Sequence, residues 1–320
     1  MTTILELDDI KPLIRVPELI DEIERGFVLY SEGKVKVPPV GFLHVDEPPA
    51  DVHIKYGYVV GDDYWVMKIA SSWYNNPTLG LPMTDGLILV FSQKTGELKI
   101  ILLDKCWLTD MRTAAAGAVA ARHLAPSRVD CIGIVGSGTQ ARMQLELLNG
   151  VIDCNRCLVW GRNPDNVASM IEDLDKSERM AGWDIDVGVA DDLDQLTAAC
   201  NLIITTTPAK SPLINAAQVR RGTHITAMGS DDDGKQELAA DVLGAADLVI
   251  ADSIAQCVDH GECLYAVRDG LIEESAIIEL GDVISNPDIG RTSDDQITVA
   301  DLTGVAIQDI QIAKIVNRSR

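Results

Sequence analysis

A glycine-containing turn near the middle of the chain has the residue types and spacing of a dinucleotide-binding site. It follows a short apolar run at 131–135, precedes residues that favour a helix, and consists of Gly136, Ser137, Gly138, Thr139, Gln140 and Ala141. In such a turn the first glycine permits the bend, the second admits a pyrophosphate, and the small third residue lets the helix pack on the strand. Free N–H groups at the helix N-terminus attract the phosphates. Similar turns also occur where nothing binds, so other parts of the chain are needed to show whether this turn is a cofactor site.

The end of the next predicted strand bears on the choice of cofactor. A site that prefers NAD usually has an acidic residue there to hold the ribose 2′-OH. This chain instead has Trp160-Gly161-Arg162-Asn163. A guanidinium suits a 2′-phosphate, so NADP(H) is favoured over NAD(H), with both kept open. The alternative is that Arg162 only faces solvent in a loop.

A threonine after the fourth strand of the same region is a further candidate. Thr206 stands in the run Thr205-Thr206-Thr207-Pro208, where a predicted strand ends. The carboxyl edge of a parallel sheet, at its switch point, is where a dinucleotide crosses. Thr206 is therefore predicted to contact the cofactor. The alternative is that the hydroxyl groups cap the following turn.

Composition excludes several classes of protein. The chain has 320 residues and a formal net charge of −22, which argues against a nucleic-acid partner, because phosphate binding needs a basic face. No apolar stretch is long enough to span a membrane, and acidic residues near the N-terminus do not fit a signal peptide. The seven cysteines are scattered and show no metal-ligand spacing beyond one isolated pair, Cys154 and Cys157. We therefore expect a cytoplasmic protein with no metal and no membrane contact.

The first third of the chain is predicted to form an α+β domain. A short strand at 3–7 precedes an amphipathic helix at 17–28, and prolines keep 34–40 extended. Strand-like runs separated by turn residues then predict an antiparallel meander at 52–60, 64–70, 86–92 and 98–103. The alanine-rich residues 113–124 form the next predicted helix.

From residue 129 onward, strands and helices alternate. Apolar runs predict strands at 131–135, 157–160, 185–189, 201–205, 224–228, 248–251 and 297–300. This alternation is typical of a doubly wound parallel sheet, so the fold class is α/β with a Rossmann domain. We place that domain at 121–300. Residues 1–120, joined by a closing helix within 301–320, form the α+β domain that binds substrate and dimerises.

Four motifs in this order resemble the ornithine cyclodeaminase/μ-crystallin family. They are 108–117 (Leu-Thr-Asp-Met-Arg-Thr-Ala-Ala-Ala-Gly), 136–141, 228–238 (Met-Gly-Ser-Asp-Asp-Asp-Gly-Lys-Gln-Glu-Leu) and 303–309 (Thr-Gly-Val-Ala-Ile-Gln-Asp). The family includes ornithine and lysine cyclodeaminases, archaeal-type alanine dehydrogenase, ketimine, pyrroline-carboxylate and iminosuccinate reductases, and ectoine-utilisation proteins. The resemblance implies a homodimer and a small substrate that bears a carboxylate.

The same resemblance assigns roles to individual residues. Lys68 and Arg112 correspond to the family's ligands of the substrate carboxylate, and Asp231 to the acid that handles the amine. Thr84 falls near the substrate, and Val305 corresponds to a wall of the nicotinamide site. A planar guanidinium grips a carboxylate in bidentate fashion and a lysine adds a point charge, which agrees with these roles. Taken singly, each of these residues also fits an ordinary ion pair or a solvated turn.

One departure from the family pattern concerns a further carboxylate ligand. Several members have an arginine directly after the Pro-Pro of the N-terminal domain, whereas here Pro38-Pro39 is followed by Val40. Lys55, on the next strand, is a candidate to supply the absent charge. In this respect the chain resembles the ectoine-utilisation and iminosuccinate-reductase members more than ornithine cyclodeaminases.

The predicted function is an NAD(P)(H)-dependent reductase or dehydrogenase of small imino or amino acids. Hydride would reach the α-carbon of a C=N substrate and give an L-amino acid, with Lys68 and Asp231 as catalytic residues. Two alternatives remain open. One is a cyclodeaminase that releases ammonia and recycles its cofactor. The other is a non-catalytic protein that binds NADPH or another small ligand, as in μ-crystallin.

Overall fold

In the computed structural model, residues 2–232 and 234–319 are described, and the chain divides into two compact units. The first unit comprises Met1–Thr113 and Val305–Arg320, and the second comprises Ala114–Gly304. The boundaries predicted from the sequence, 120/121 and 300/301, lie a few residues from these divisions. The assignment of one domain to substrate and dimer contacts stays a prediction.

The strands are numbered in chain order. They are β1 (Thr3–Glu6), β2 (Val35–Lys36), β3 (Gly41–Val45), β4 (Ala50–Val59), β5 (Tyr64–Trp73), β6 (Thr84–Ser92), β7 (Leu98–Leu103), β8 (Ile132–Val135), β9 (Arg156–Trp160), β10 (Asp186–Val189), β11 (Leu202–Thr205), β12 (Lys210–Ile214), β13 (His224–Ala227), β14 (Gln236–Leu238), β15 (Leu248–Ala251), β16 (Ile278–Glu279) and β17 (Thr298–Asp301).

The α-helices follow the same rule. They are α1 (Leu7–Ile10), α2 (Val16–Ser31), α3 (Trp107–Leu124), α4 (Thr139–Leu148), α5 (Pro164–Asp175), α6 (Leu193–Ala199), α7 (Ala240–Ala245), α8 (Ile254–His260), α9 (Glu262–Arg268), α10 (Leu280–Ser285) and α11 (Ala306–Ser319).

The first unit is built on one twisted sheet in the order β1-β7-β6-β5-β4-β2, with β3 also paired to β4. The predicted meander β4-β5-β6-β7 is confirmed, and its neighbouring strands pair antiparallel. Strand β1 adds a parallel edge beside β7. The prediction missed β3, because its residues are largely exposed and show no period-two burial that would mark a strand.

Helices α2 and α11 pack closely in the first unit. A Cβ atom at Gly26 would lie 2.9 Å from the Cγ of Gln311 and 3.2 Å from a side-chain carbon of Ile307, so glycine lets the two helices approach at this point. The Gln311 side-chain amide also donates to the Glu22 carbonyl at 3.2 Å. The predicted closing helix is therefore present as α11, and it forms part of the first unit's core.

The second unit contains the predicted doubly wound sheet. Its strands run in the order β10-β9-β8-β11-β13-β17-β15-β16, and every neighbouring pair is parallel. The order reverses at β8 and β11, which defines the switch point where α/β proteins bind their ligands. Fold class and Rossmann topology are thus as predicted. The separate parallel pair β12-β14 was missed, because β12 is mostly exposed and contains Pro212.

Helix α3 begins earlier than predicted. The alanine-rich run suggested a start at residue 113, but the helix begins at Trp107. Asp104 explains the difference, because its carboxylate accepts the backbone N–H of Leu108 at 2.9 Å and so caps the first turn. Arg112 consequently lies inside the helix. Across residues 2–232 and 234–319, no helix combines the length and apolar character that a membrane span requires.

Candidate active site

The predicted fingerprint forms a strand–turn–helix in the second unit. Gly136 adopts φ +129°, a left-handed value that favours glycine, and a Cβ atom there would lie 2.5 Å from Thr206 Oγ1. Gly138 precedes the first turn of α4 without a side-chain cap, and a Cβ atom on it would meet open space. Ala141 is fully buried beneath the turn. The uncapped helix N-terminus and the open space at Gly138 fit the pyrophosphate of a dinucleotide.

A cleft of about 860 Å³ extends along the carboxyl edge of the sheet from this turn. Its lining includes the predicted residues Gly136, Ser137, Gly138, Arg162 and Thr206. Thr139 instead lines a smaller neighbouring cleft of about 220 Å³. Neither lining includes Gln140 or Ala141, which lie further into α4.

The cleft also contains residues that the sequence did not single out. Asn166, Lys210 and Ser211 line it together with Arg162, which is exposed at the end of β9. Lys210 begins the unpredicted strand β12, so no sequence pattern pointed to it. Two cations thus line the same cleft as the fingerprint turn, in a chain of strongly negative net charge.

Asp231, the predicted proton relay, lies in the loop that follows β13. Its Oδ1 atom lies 2.6 Å from the Nζ of Lys235, and the carboxylate side chain is 45% exposed. The backbone carbonyl of Lys235 accepts hydrogen bonds from Ser230 at 2.9 Å and from Tyr265 at 3.0 Å. The carboxylate is therefore accessible and has a cation beside it, on a loop held by two side-chain hydroxyls.

In the first unit, the predicted lysines face each other across the sheet. The register pairs Lys55 on β4 directly with Lys68 on β5, so both side chains leave the same face. Their residues are only 7% and 3% exposed. Two like charges buried side by side are unfavourable unless anions compensate them. This pairing is the strongest sign in the first unit of an anion-binding site.

Thr84 shares this face but lies further along it. It pairs with Ser72, four residues from Lys68 along β5. At the rise of an extended strand, that separation is roughly 13 Å. Thr84 is thus at the same side of the sheet as the lysines without adjoining them. Val305, the other residue taken from the family pattern, is fully buried at the start of the segment that forms α11.

Arg112 is buried and contacts α11. Its Nη1 atom donates to Gln308 Oε1 at 2.8 Å, and its Nε atom lies 3.1 Å from Asp309 Oδ1. That second contact is an ion pair outside hydrogen-bond geometry. Among the described residues, neither the Nε–H of Arg112 nor either oxygen of Asp309 has a hydrogen-bond partner. Buried charged groups in this condition are costly, which suits a site completed by a ligand.

Asp104 joins these groups into one cluster. It is 1% exposed, and burial raises its pKa from 3.8 to about 7. The Leu108 N–H lowers that pKa, the charge of Asp309 raises it further, and Lys68 lowers it. Asp104 therefore lies within electrostatic reach of both Lys68 and Asp309. We call Lys55, Lys68, Arg112, Asp104 and Asp309 the carboxylate-site cluster.

The turn after Asp104 has an unusual backbone. Lys105 and Cys106 have φ values of +53° and +65°, which non-glycine residues rarely adopt. Such conformations persist where the surroundings over-determine them, and they concentrate at functional sites. Burial also raises the pKa of the Cys106 thiol to about 12, so the thiol stays protonated. The strained turn fixes the start of α3, and with it the position of Arg112.

The sequence analysis proposed roles for the three cations of the cluster and none for its two acids, and the roles of the cations stay predictions. Asp309 belongs to the quoted motif 303–309, and Asp104 stands at capping distance before Leu108, yet neither was given a role. The signal available for Asp104 was its spacing from the helix. For the cluster as a whole, the three cations outweigh two acids, one of which is partly protonated near neutral pH. The arrangement can therefore bind a small carboxylate.

Comparisons with known proteins agree with this geometry. The model of the ornithine cyclodeaminase/mu-crystallin family matches residues 1–319. The alanine dehydrogenase of Archaeoglobus fulgidus is 34% identical over 318 residues, which are 98% of this chain and 94% of that protein.

Two solved structures are similar along nearly the whole chain. The Δ1-pyrroline-2-carboxylate reductase of Thermococcus litoralis, in complex with NADH and L-proline, is 27% identical, with 99% of this chain and 97% of that chain covered and a TM-score of 0.91. The iminosuccinate reductase of Paracoccus denitrificans, in complex with NAD⁺, is 29% identical, with 99% and 96% covered and a TM-score of 0.89. The chain belongs to the ornithine cyclodeaminase/mu-crystallin family.

Proposed function

We propose that the chain is an NAD(P)(H)-dependent reductase or dehydrogenase of small imino or amino acids. The observation that carries this proposal is the direct pairing of two buried lysines, Lys55 and Lys68, within a cluster that also contains Arg112. A cluster with three cations and two acids suits a carboxylate ligand, and the second unit has the turn and cleft of a dinucleotide site. Relatives named alanine dehydrogenase, iminosuccinate reductase and pyrroline-2-carboxylate reductase support the same class.

In the proposed reaction, the carboxylate-site cluster holds the substrate by its acid group. Arg112 supplies a planar fork of donors, and Lys68 and Lys55 add point charges. Gln308 accepts a hydrogen bond from the guanidinium, and Asp309 lies beside it as an ion-pair partner. Fixing the carboxylate also fixes the adjoining α-carbon, and orientation of this kind contributes much of the rate of a hydride transfer.

The dinucleotide, when bound, supplies the hydride that converts C=N to CH–NH. The residues that would hold it are those of the fingerprint turn, with Thr206 at the sheet edge. The chain itself must handle a proton, because the nitrogen has to be protonated for the reduction to give an amine. Asp231 is the proposed relay, since its carboxylate is accessible and ion-paired with Lys235.

For the cofactor we propose a preference for NADP(H). Arg162 and Lys210 line the cleft, and the residues that end β9 include no acid to hold a free 2′-OH. The two solved relatives described above contain NAD⁺ or NADH, so the preference has to be measured on this chain. The homodimer and the cytoplasmic location stay predictions.

A turnover assay tests the proposal. The purified protein is incubated with NADPH or NADH, together with pyruvate, glyoxylate or oxaloacetate and either ammonia or methylamine, and separately with cyclic imines. Oxidation of the dinucleotide is expected with at least one of these imines, and no oxidation is expected when a keto acid is supplied without ammonia or methylamine. Absence of oxidation across the whole panel contradicts the proposal.

A cyclodeaminase is the second candidate, favoured by membership of a family that includes ornithine cyclodeaminase. It predicts ammonia and proline from ornithine with no net change in dinucleotide. Tight NADPH binding without turnover on any of these substrates would instead favour the non-catalytic binder.

A further inference from the structure

We propose that Glu237 is a positioning residue that holds the cofactor-binding loops of the second unit in place. These loops are the segments 205–208 and 229–231, which follow β11 and β13. The inference deepens the proposed function, because it concerns the same dinucleotide site. It assigns a role to a buried acid that neither the glycine fingerprint nor the predicted cofactor contacts include.

The Glu237 carboxylate accepts four hydrogen bonds and is fully buried. Its Oε1 atom accepts the backbone N–H and the hydroxyl of Thr207, at 2.6 and 2.7 Å. Its Oε2 atom accepts the hydroxyl of Thr205 at 2.6 Å and the backbone N–H of Gly229 at 2.8 Å. One side chain thus connects the carboxyl ends of two neighbouring parallel strands.

All four partners donate, so the site requires a carboxylate. The pKa of Glu237 is raised above its ordinary value, because burial outweighs the hydrogen bonds from Thr205, Thr207 and Gly229 that lower it. The two backbone N–H groups cannot rotate away as a hydroxyl can. An ionised acid is the side chain that satisfies both of them with both of its oxygens.

The backbone of strand β14 is restrained by hydrogen bonds to a second buried acid, so the position of Glu237 is restrained as well. The carboxylate of Glu262 accepts the backbone N–H of Glu237 at 2.6 Å and that of Leu238 at 3.2 Å. Glu262 is 1% exposed at the start of α9. The loops are therefore attached to a strand whose backbone is already restrained.

Of the two loops that Glu237 holds, 205–208 lies against the fingerprint turn and 229–231 lies against 205–208. Thr206, between the two threonines bound by Glu237, donates its backbone N–H to Val135 at 2.9 Å and would collide with any side chain at Gly136. A Cβ atom at Gly229 would lie 2.2 Å from the Thr207 carbonyl oxygen. Displacement of 205–208 would thus alter the cleft at the fingerprint turn, and displacement of 229–231 would move the segment that carries Asp231.

Glu237→Gln is the direct test, because the amide has nearly the same shape as the acid. Whichever way the amide turns, its NH₂ group faces a fixed backbone N–H, either that of Thr207 or that of Gly229. We expect the Kd of both NADPH and NADH, measured by fluorescence titration, to rise roughly tenfold or more. A purely structural role would lower the Tm and leave both Kd values unchanged.

Glu146→Gln is the matched control. Glu146 is a buried acid of the same unit, 4% exposed, which accepts hydrogen bonds from Ser177 at 2.7 Å and Arg179 at 3.0 Å. It contacts neither cofactor loop in these bonds. Its replacement is expected to lower the Tm and keep the Kd of each dinucleotide within about twofold of the wild type.

A second variant decides the matter if Glu237→Gln does not fold. Thr205→Val removes one hydroxyl donor and keeps the carboxylate and both backbone contacts, and we expect a roughly threefold rise in Kd. A folded Glu237→Gln protein with wild-type affinity would overturn the inference, as would an unchanged Kd in Thr205→Val when Glu237→Gln is unfolded. If the wild type binds neither dinucleotide, the proposed function fails, and the inference fails with it.

Discussion

Two groups of buried charged residues, one around Glu237 and Asp252 in the second unit and one around Arg112 in the first, differ in how far their hydrogen bonds are satisfied. In the second unit, both oxygens of Glu237 accept hydrogen bonds from the cofactor loops, and the carboxylate of Asp252 accepts the backbone N–H groups of Thr303 and Gly304 at 3.2 and 2.7 Å. In the first unit, both oxygens of Asp309 and the Nε–H of Arg112 lack hydrogen-bond partners among the described residues.

This difference separates two kinds of binding site. A site whose polar groups are already satisfied is pre-organised, and its ligand meets a finished surface. A site with buried, incompletely bonded charges gains most from the ligand that completes it. We infer that the dinucleotide site is formed in advance and that the carboxylate-site cluster is completed by substrate.

The largest expected effect concerns the incomplete site. Lys68→Met removes a buried charge next to Lys55 while it keeps most of the side-chain volume. We expect kcat/KM for the imino acid to fall roughly a hundredfold or more, because a buried hydrogen-bonded charge contact contributes a few kcal/mol. Steady-state kinetics measures the fall, and fluorescence titration checks that dinucleotide affinity is kept.

The control for this variant is Lys99→Met, on strand β7 of the same sheet. Lys99 is 39% exposed and pairs with Glu97 at 2.7 Å, so its loss is expected to leave kcat/KM unchanged. An equal fall in kcat/KM for the two variants would mean that substrate responds to the total positive charge of the sheet and has no specific contact with the cluster.

Sequence and structure agree best where the pattern is local. A short stretch of sequence is enough to predict three features, because burial repeats with the period of the element. These features are the fingerprint turn, the alternation of β8 to β13 and the meander β4 to β7. The family assignment, predicted from four motifs in the right order, is confirmed by the family model that matches residues 1–319. The predicted reaction class also agrees with the names of the relatives.

The missed features depend on distant partners. Glu237 receives donors from positions 205, 207 and 229, and no window around β14 contains that information. Asp309 is recognised as part of the cluster only by its contact with Arg112, which lies almost two hundred residues earlier in the chain. The predicted start of α3 was wrong because alanine content was weighed above a single capping acid, Asp104.

Asp104 gives the first unit a dependence on pH. Its pKa is about 7 in the folded state against an ordinary value of 3.8, so between these values only the folded state holds the proton. This contribution to the free energy of unfolding is present below about pH 4 and is lost as the pH rises through about 7. Its upper bound is about 4 kcal/mol.

Asp104→Asn should therefore flatten part of that pH dependence. The amide oxygen can still accept the Leu108 N–H, and no proton is gained or lost. We expect a smaller difference in unfolding free energy between pH 4.5 and 7.5 than in the wild type, measured by urea denaturation. Asp301→Asn makes the same measurement in the second unit, because burial raises the pKa of Asp301 to about 7 as well. An unchanged difference in the Asp104 variant would show that Asp104 titrates normally.

The cofactor preference tests the pre-organised site. Arg162 is exposed in the cleft, so Arg162→Ala removes a charge without disturbing the fold. We expect the Kd of NADPH to rise about tenfold and that of NADH to stay within about twofold, because the 2′-phosphate is the group that differs. NADH is the internal control, and equal changes for both dinucleotides would contradict the predicted NADP(H) preference.

The smallest expected effect joins stability to function at Lys55. Lys55→Met removes one of two cations that are buried opposite each other, and the sign of the change in Tm shows whether the contact between like charges or the anionic partners of the pair dominate. The same change removes one cation from the carboxylate-site cluster, so KM for the imino acid should rise about threefold to fivefold. Thermal unfolding and steady-state kinetics on one preparation measure both effects.

A higher Tm with an unchanged KM would remove Lys55 from the site. A raised KM with a lower Tm would mean that anionic groups of the protein already neutralise the lysine pair, and that the first unit is as complete before binding as the second.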